Sequence, residues 1–149
     1  MKKVSLALAL LMVLSLVSGA ALAKTASDLV AEYSPDMQHI STMELQMEMD
    51  FGEEFIILDI RSETEFAAGR IPGAVHVDAG LLPFRIGNYV PDKDTMFIVY
   101  CQGAARSVLA VKTLLDLGYE NATNMQGGFG DWMNSGYQVE TNAGIFVKY

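Results

Sequence analysis

The chain has 149 residues, 51% of them apolar, with 10 Lys and Arg against 18 Asp and Glu and a formal charge of −8. That length holds one ordinary domain with its own core and is too short for two. An acidic surface repels polyanions, which argues against nucleic acid and anionic membranes as partners, and the single cysteine excludes an internal disulfide.

The first residues read MKKVSLALALLMVLSLVSGAALA: two lysines, an apolar run from Leu6 to Leu14, then small residues ending in Ala21-Leu22-Ala23. This is the pattern of a secretory signal with an A-x-A cleavage site, over residues 1–23. An uncleaved anchor is the alternative, because no charge occurs from Val4 to Ala23. Ser15, Ser18 and Gly19 thin the apolar run where an anchor needs it, which favours cleavage. The mature protein is then expected to begin at Lys24, in the periplasm or outside the cell, with no stable membrane insertion. A lone thiol in that oxidising compartment is either reactive or protected by burial.

Residues 24–36 read as a polar linker or short helix, and Met37 to Ile40 as a first short strand. Ser41 with Glu44 makes a capping box, opening a helix that Gly52 ends. Its methionines are expected as core filler. Phe55 to Ile60 is a nearly continuous apolar run with Asp59 near its end. Strands apolar on both faces belong to parallel sheets covered by helices, whose functional loops gather at the strands' C-terminal ends. Asp59 is placed at that edge, to orient a neighbouring loop through its N–H groups or to act as an acid or base.

Ser62 to Phe66 predicts another capped helix, ended by Gly69, followed by a turn at Ile71-Pro72-Gly73 and a short strand over Ala74 to Val77. Arg61 and Glu65 are expected as a surface pair and Arg70 as a solvated cation. Residues 78–95 form an irregular connection in which Pro83 and Gly87 blur any helix.

Met96 to Tyr100 then predicts a buried strand running into Cys101, and from about Ala104 a helical pattern resumes with Val108, Val111 and Leu115 on one face. Cys101 therefore stands where a strand hands over to a helix. The first helical turn has N–H groups without internal partners, and the peptide dipoles add partial positive charge. Both favour a thiolate, as does Arg106, and no acid lies in the loop. Gly103, Ala104 and Ala105 let the backbone curl round a bound group, with Gln102 and Ser107 beside them. The segment reads as a cradle for an anionic sulfur; the plainer reading is a buried core cysteine. Gly118 ends the helix, and Ala122 to Met125 is the last parallel strand. Gly127 and Gly128 permit close backbone approach, and Phe129 and Trp132 either roof a pocket or fill the core. Residues 140–149 form a tail with a terminal strand at Ile145 to Val147.

LDIRSETEFAAGRIPGAVHV (Leu58 to Val77), YCQGAARS (Tyr100 to Ser107) and GGFGDWMNSGYQV (Gly127 to Val139) resemble, in this order, the three signature segments of the rhodanese domain. The resemblance covers residues 37–139. It implies an α/β fold, a mostly parallel central sheet with helices on both faces. It also implies a sulfurtransferase in which the loop cysteine takes a sulfane sulfur as a persulfide and passes it to a thiophilic acceptor. Cys101 falls on that cysteine, Gln102, Gly103, Ala104, Ala105, Arg106 and Ser107 on the substrate-binding loop, and Asp59 on the acid of the first segment. The implied partners are a small sulfur donor, such as thiosulfate, and a thiol, cyanide or protein-thiol acceptor. No metal or organic cofactor is implied. Family loops often carry glycine three residues after the cysteine, where this chain has Ala104, and often histidine where it has Arg70.

Three other functions are weighed. A non-enzymatic sulfur carrier or thiol-binding module would keep the fold with little turnover. A cysteine-dependent phosphatase would need five residues between Cys and Arg, and this loop has Gln102, Gly103, Ala104 and Ala105. His39 and His76 have no metal-ligand partner at useful spacing and are expected in core or surface roles; a cysteine–histidine hydrolase would need one of them brought to Cys101.

Overall fold

A computed structural model describes residues 23–147. The expected signal peptide, apart from Ala23, and the last two residues of the expected tail lie outside the described residues.

Five short strands build the sheet: β1 Gln38–Ile40, β2 Ile56–Asp59, β3 Val75–His76, β4 Phe97–Tyr100 and β5 Ala122–Met125. Their order is β1-β5-β4-β2-β3 and every pairing is parallel. The central strand β4 is buried at all four residues, as its unbroken apolar run requires. Successive side chains point to opposite faces. Leu58 and Val99 join one core with Leu82, Ile86, Val111 and Leu114. Ile57, Ile98 and Tyr100 join the other with Leu45, Phe129 and Trp132. Helices cover both faces: α1 Ala26–Tyr33, α2 Thr42–Phe51, α3 Glu63–Ala68, α4 Leu82–Tyr89, α5 Ala105–Asp116 and α6 Gly128–Asn134. Helices α4 and α5 supply the first core, α2 and α6 the second, and α1 lies against the outside of α5.

Local chemistry sets the boundaries. Ser41 with Glu44 and Ser62 with Glu65 form capping boxes, each hydroxyl accepting from the N3 amide and each carboxylate accepting from the cap amide. A third box, Thr25 with Asp28, makes residues 26–33 helical. Gly52 ends α2 in the left-handed conformation. Pro83 falls in the first turn of α4, where its missing N–H costs nothing, so the connection over 78–95 contains a helix.

Four local expectations are corrected. The chain's end is a hairpin, β6 Gln138–Thr141 antiparallel to β7 Gly144–Val147, in place of a single terminal strand. Arg70 is no solvated cation: its guanidinium donates to Glu140 Oε1 at 2.6 and 3.1 Å and lies over the Phe66 ring, because the hairpin folds back onto it. Arg61 and Glu65 are not a surface pair; each has another partner, described below. Met43 and Met47 project from α2 into solvent, since that helix turns Leu45 to the core.

Candidate active site

Strands β2 and β4 run in register, so that Asp59 pairs with Tyr100 and the two strands end side by side. The residue after Tyr100 is Cys101, buried at 1% exposure. From there the chain turns through residues 102–104 into α5. None of the N–H groups of Gln102 to Arg106 has a protein acceptor among the described residues. A run of unsatisfied donors beside a thiol is an anion cradle.

The turn is made by Ala104, the one non-glycine residue with positive φ among the described residues, at +69°. Ser107, fully buried, donates its hydroxyl to the Ala104 carbonyl at 2.9 Å and lies 3.7 Å from Cys101 Sγ. It therefore ties the turn to the thiol. The start of the loop is fixed by α6. Phe129 N donates to the Cys101 carbonyl at 2.8 Å, and Gly130 N donates to the Gln102 carbonyl at 2.9 Å. Gly128, at φ +61°, allows this approach; a Cβ there would stand 2.5 Å from the Cys101 carbonyl oxygen.

The loop's arginine is not free. Arg106 donates to both oxygens of Glu65, at 2.9 and 3.2 Å. The Arg106 guanidinium and the Ser62 amide hold the Glu65 carboxyl down at about 2. Glu65 in turn, with a smaller contribution from Cys101, raises the proton affinity of Arg106.

Asp59 does not reach the loop amides. Both of its oxygens are taken by Arg61, whose Nε, Nη2 and backbone N–H all donate to it. Both residues are buried, so the pair is desolvated together. Burial by itself would lower the proton affinity of Arg61, and Asp59 reverses that. The guanidinium also donates to the Gly69 carbonyl at 2.6 Å, lies 4.0 Å from the Phe129 ring centroid, and reaches Gln102 Oε1 at 3.4 Å. Asp59 is thus linked to the loop only through Arg61 and its 3.4 Å contact with the Gln102 side chain. Tyr100 packs against this pair; burial, then Asp59, pushes its hydroxyl well above the ordinary phenol range, and that oxygen accepts from Ile71 N.

The histidines are engaged elsewhere. His39 meets Asn124 and Ser34, while His76 bonds the Arg61 carbonyl and stacks on Phe66. Phe129 touches the site through Arg61, whereas Trp132 is wholly buried in the core. Arg61 is the site residue that sequence reasoning passed over, whereas Gly128 makes the close backbone approach expected of it. The signal for Arg61 is its place two residues after a buried aspartate, where a carboxylate that cannot reach water demands a cation.

Comparisons with known proteins give the family and the fold. The model of the rhodanese-like domain family matches residues 41–135. A sulfurtransferase of Allochromatium vinosum is 30% identical over 103 residues, 69% of this chain and 94% of that protein. A thiosulfate sulfurtransferase of Pseudomonas entomophila is 34% identical over 92 residues, 62% of this chain and 82% of that protein. Among solved structures, a Rhodopseudomonas palustris protein of unknown function, described as "Possible Tyrosine Phosphatase", superposes with a TM-score of 0.70 at 28% identity, over 79% of this chain and 96% of that one.

Proposed function

The chain belongs to the rhodanese-like domain family, and on that premise we propose that it is an exported sulfurtransferase carrying a sulfane sulfur as a persulfide on Cys101. The observation that carries this reading is the buried Cys101 at the foot of a loop whose amides from Gln102 to Arg106 have no protein acceptor among the described residues. A sulfur bound to Sγ gives that cradle the anion it lacks.

The reaction is a two-step exchange. With thiosulfate as donor, the Cys101 thiolate attacks the outer sulfur, the S–S bond of thiosulfate breaks, and sulfite leaves with the bonding pair. Cys101 is then a persulfide, its outer sulfur held by the loop amides. An acceptor thiolate attacks that sulfur, the Cys101 thiolate departs, and the acceptor leaves as a persulfide; cyanide leaves as thiocyanate. Ser107 positions the thiol, and Asp59, through Arg61, positions Gln102.

A phosphatase reading is disfavoured by two observations. Four residues, not five, separate Cys101 from Arg106, and Arg106 is already neutralised by Glu65. A non-enzymatic sulfur carrier shares the first half-reaction and differs only in lacking turnover.

The test is the intact mass of the mature protein after thiosulfate or polysulfide treatment, then after cyanide, for wild type and Cys101→Ser. Gain of one sulfur that requires Cys101 and is discharged by cyanide is expected. No gain under any donor overturns the reading. Repeated discharge with a thiol acceptor separates an enzyme from a carrier. N-terminal sequencing of periplasmic material tests export, with Lys24 expected as the first residue.

A further inference from the structure

A cleft of about 650 Å³ opens beside the cysteine loop, with Gln102 and Glu65 on its rim. Its far wall is contributed by residues outside the family match, which ends at 135: Val139 from β6 and Phe146 from β7. Met133 and Phe129 of α6 complete the apolar side.

The hairpin is fixed in place. Arg70 and Glu140 exchange both backbone hydrogen bonds at 2.9 Å, and the Glu140 carboxylate bridges the Arg70 guanidinium and Gly73 N. Trp132 Nε1 donates to the Gln138 carbonyl at 2.8 Å. Val139 packs so closely on α3 that a Cβ at Gly69 would lie 3.0 Å from its Cγ1. Phe146, by contrast, is 53% exposed and leans over the opening.

The charges in this cleft cancel. Arg61 is saturated by Asp59, and Glu65 is paired with Arg106. No uncompensated cation greets an anionic or carboxylated thiol, and the chain as a whole carries −8. What remains is mostly apolar wall with the neutral Gln102 and Asn134, in a volume within the range of small-molecule sites. We propose that this cleft binds the apolar body of a small, uncharged organic thiol, the sulfur acceptor, and that Val139 and Phe146 set its specificity. The inference rests on the sulfurtransferase reading of Cys101. The thiol sulfur of the bound acceptor points to the Gln102 rim, from which it attacks the outer sulfur of the Cys101 persulfide, leaving the Cys101 thiolate and an acceptor persulfide.

The test preloads Cys101 with sulfur, verifies the load by intact mass, and follows its discharge by benzyl mercaptan, 2-mercaptoethanol and 3-mercaptopropionate. Each methylene equivalent buried is worth about fourfold, so benzyl mercaptan is expected to discharge the protein about tenfold faster than 2-mercaptoethanol, and 3-mercaptopropionate more slowly than either. Phe146→Ser is expected to remove at least about threefold of the benzyl advantage, slowing discharge by benzyl mercaptan more than discharge by 2-mercaptoethanol. Benzyl methyl sulfide, which cannot accept sulfur, is expected to shift the amide resonances of Met133, Val139 and Phe146 in Cys101→Ser. Loading without a benzyl preference, a preference untouched by Phe146→Ser, or no resonance shift overturns the cleft assignment and leaves the sulfurtransferase reading standing. Failure of Cys101 to load overturns that reading, and this inference with it.

Discussion

Glu65 meets Arg106 across forty-one residues of chain, accepting at 2.9 Å from Nη2 and at 3.2 Å from Nη1. The pair closes the cysteine loop onto the start of α3 and neutralises the cation that the loop would otherwise offer to a donor. On the proposed sulfur-transfer reading, donor preference should therefore depend partly on a residue outside the loop.

Glu65→Gln frees that cation. A charge at a half-exposed site is worth about 1 kcal/mol, or roughly fivefold in rate, toward dianionic thiosulfate. We expect faster loading of Cys101 from thiosulfate, with the gain shrinking as salt is raised. Loading time courses at low and high ionic strength check it; an unchanged or slower rate counts against Glu65 as the neutraliser.

The same pair makes stability depend on pH. Glu65 titrates at about 2 in the folded chain against an ordinary 4.5, so its contribution is present above 4.5 and disappears as pH falls through 2. Wild type should exceed Glu65→Gln in urea midpoint at pH 7, and the gap should close between pH 4.5 and 2. Because both side chains are partly exposed, the contribution is under about 1 kcal/mol.

Ala104 holds a left-handed turn at φ +69°, a conformation that costs a Cβ-bearing residue about 1 to 2 kcal/mol. Ala104→Gly relieves that strain and gives back about 0.4 to 1 kcal/mol through the looser unfolded chain. A net gain of about 0.5 to 1 kcal/mol is expected by chemical denaturation, and Ala104→Val should lose more than Ala104→Gly gains.

The parallel sheet is legible in the sequence because runs such as Ile56-Ile57-Leu58 and Phe97-Ile98-Val99 leave no polar face, and burial on both sides permits one sheet type. Caps are legible because Ser41–Glu44 and Ser62–Glu65 act over three residues. Partnerships across the chain are not. Arg61 four residues before Glu65 suggests a local pair, yet the burial of Asp59 draws Arg61 inward and leaves Glu65 to a residue beyond the next two strands. The hairpin at the end is hidden for the same reason: Glu140 has meaning only once Arg70 is beside it. Cys101 itself is legible because its surroundings, strand before and helix after, are contiguous.

Gly128→Ala should damage the loop and not merely α6. Its added Cβ would meet the Cys101 carbonyl oxygen at 2.5 Å and the Gln102 carbonyl carbon at 2.8 Å, which is backbone and must move. Gly127→Ala has a similar positive φ, +72°, but its Cβ meets Asp131, at 2.5 Å. Both variants are expected to lose about 2 to 3 kcal/mol, as overpacking does. Under conditions where both are folded, only Gly128→Ala should also lose persulfide formation, read by intact mass.

Asp59 and Arg61 stand or fall together. The carboxylate is fully buried, and its oxygens are satisfied almost wholly by one guanidinium. Arg61→Met removes that partner and leaves a charge in the core, so a loss of about 3 to 5 kcal/mol is expected, and Asp59→Leu should cost a similar amount by stranding Arg61. In the double variant neither charge remains, and buried pairs replaced by apolar groups are often neutral in stability. The double variant should therefore be far more stable than the sum of its parents, a coupling of at least about 2 kcal/mol in a urea-denaturation cycle. Stability is one readout and the loop is another. With Arg61 gone, the Gln102 side chain loses its contact with the guanidinium, so the double variant should fold yet load sulfur more slowly than wild type. If it loads at the wild-type rate, Arg61 serves the core alone, and the path from Asp59 through Arg61 to Gln102 plays no part in positioning the loop.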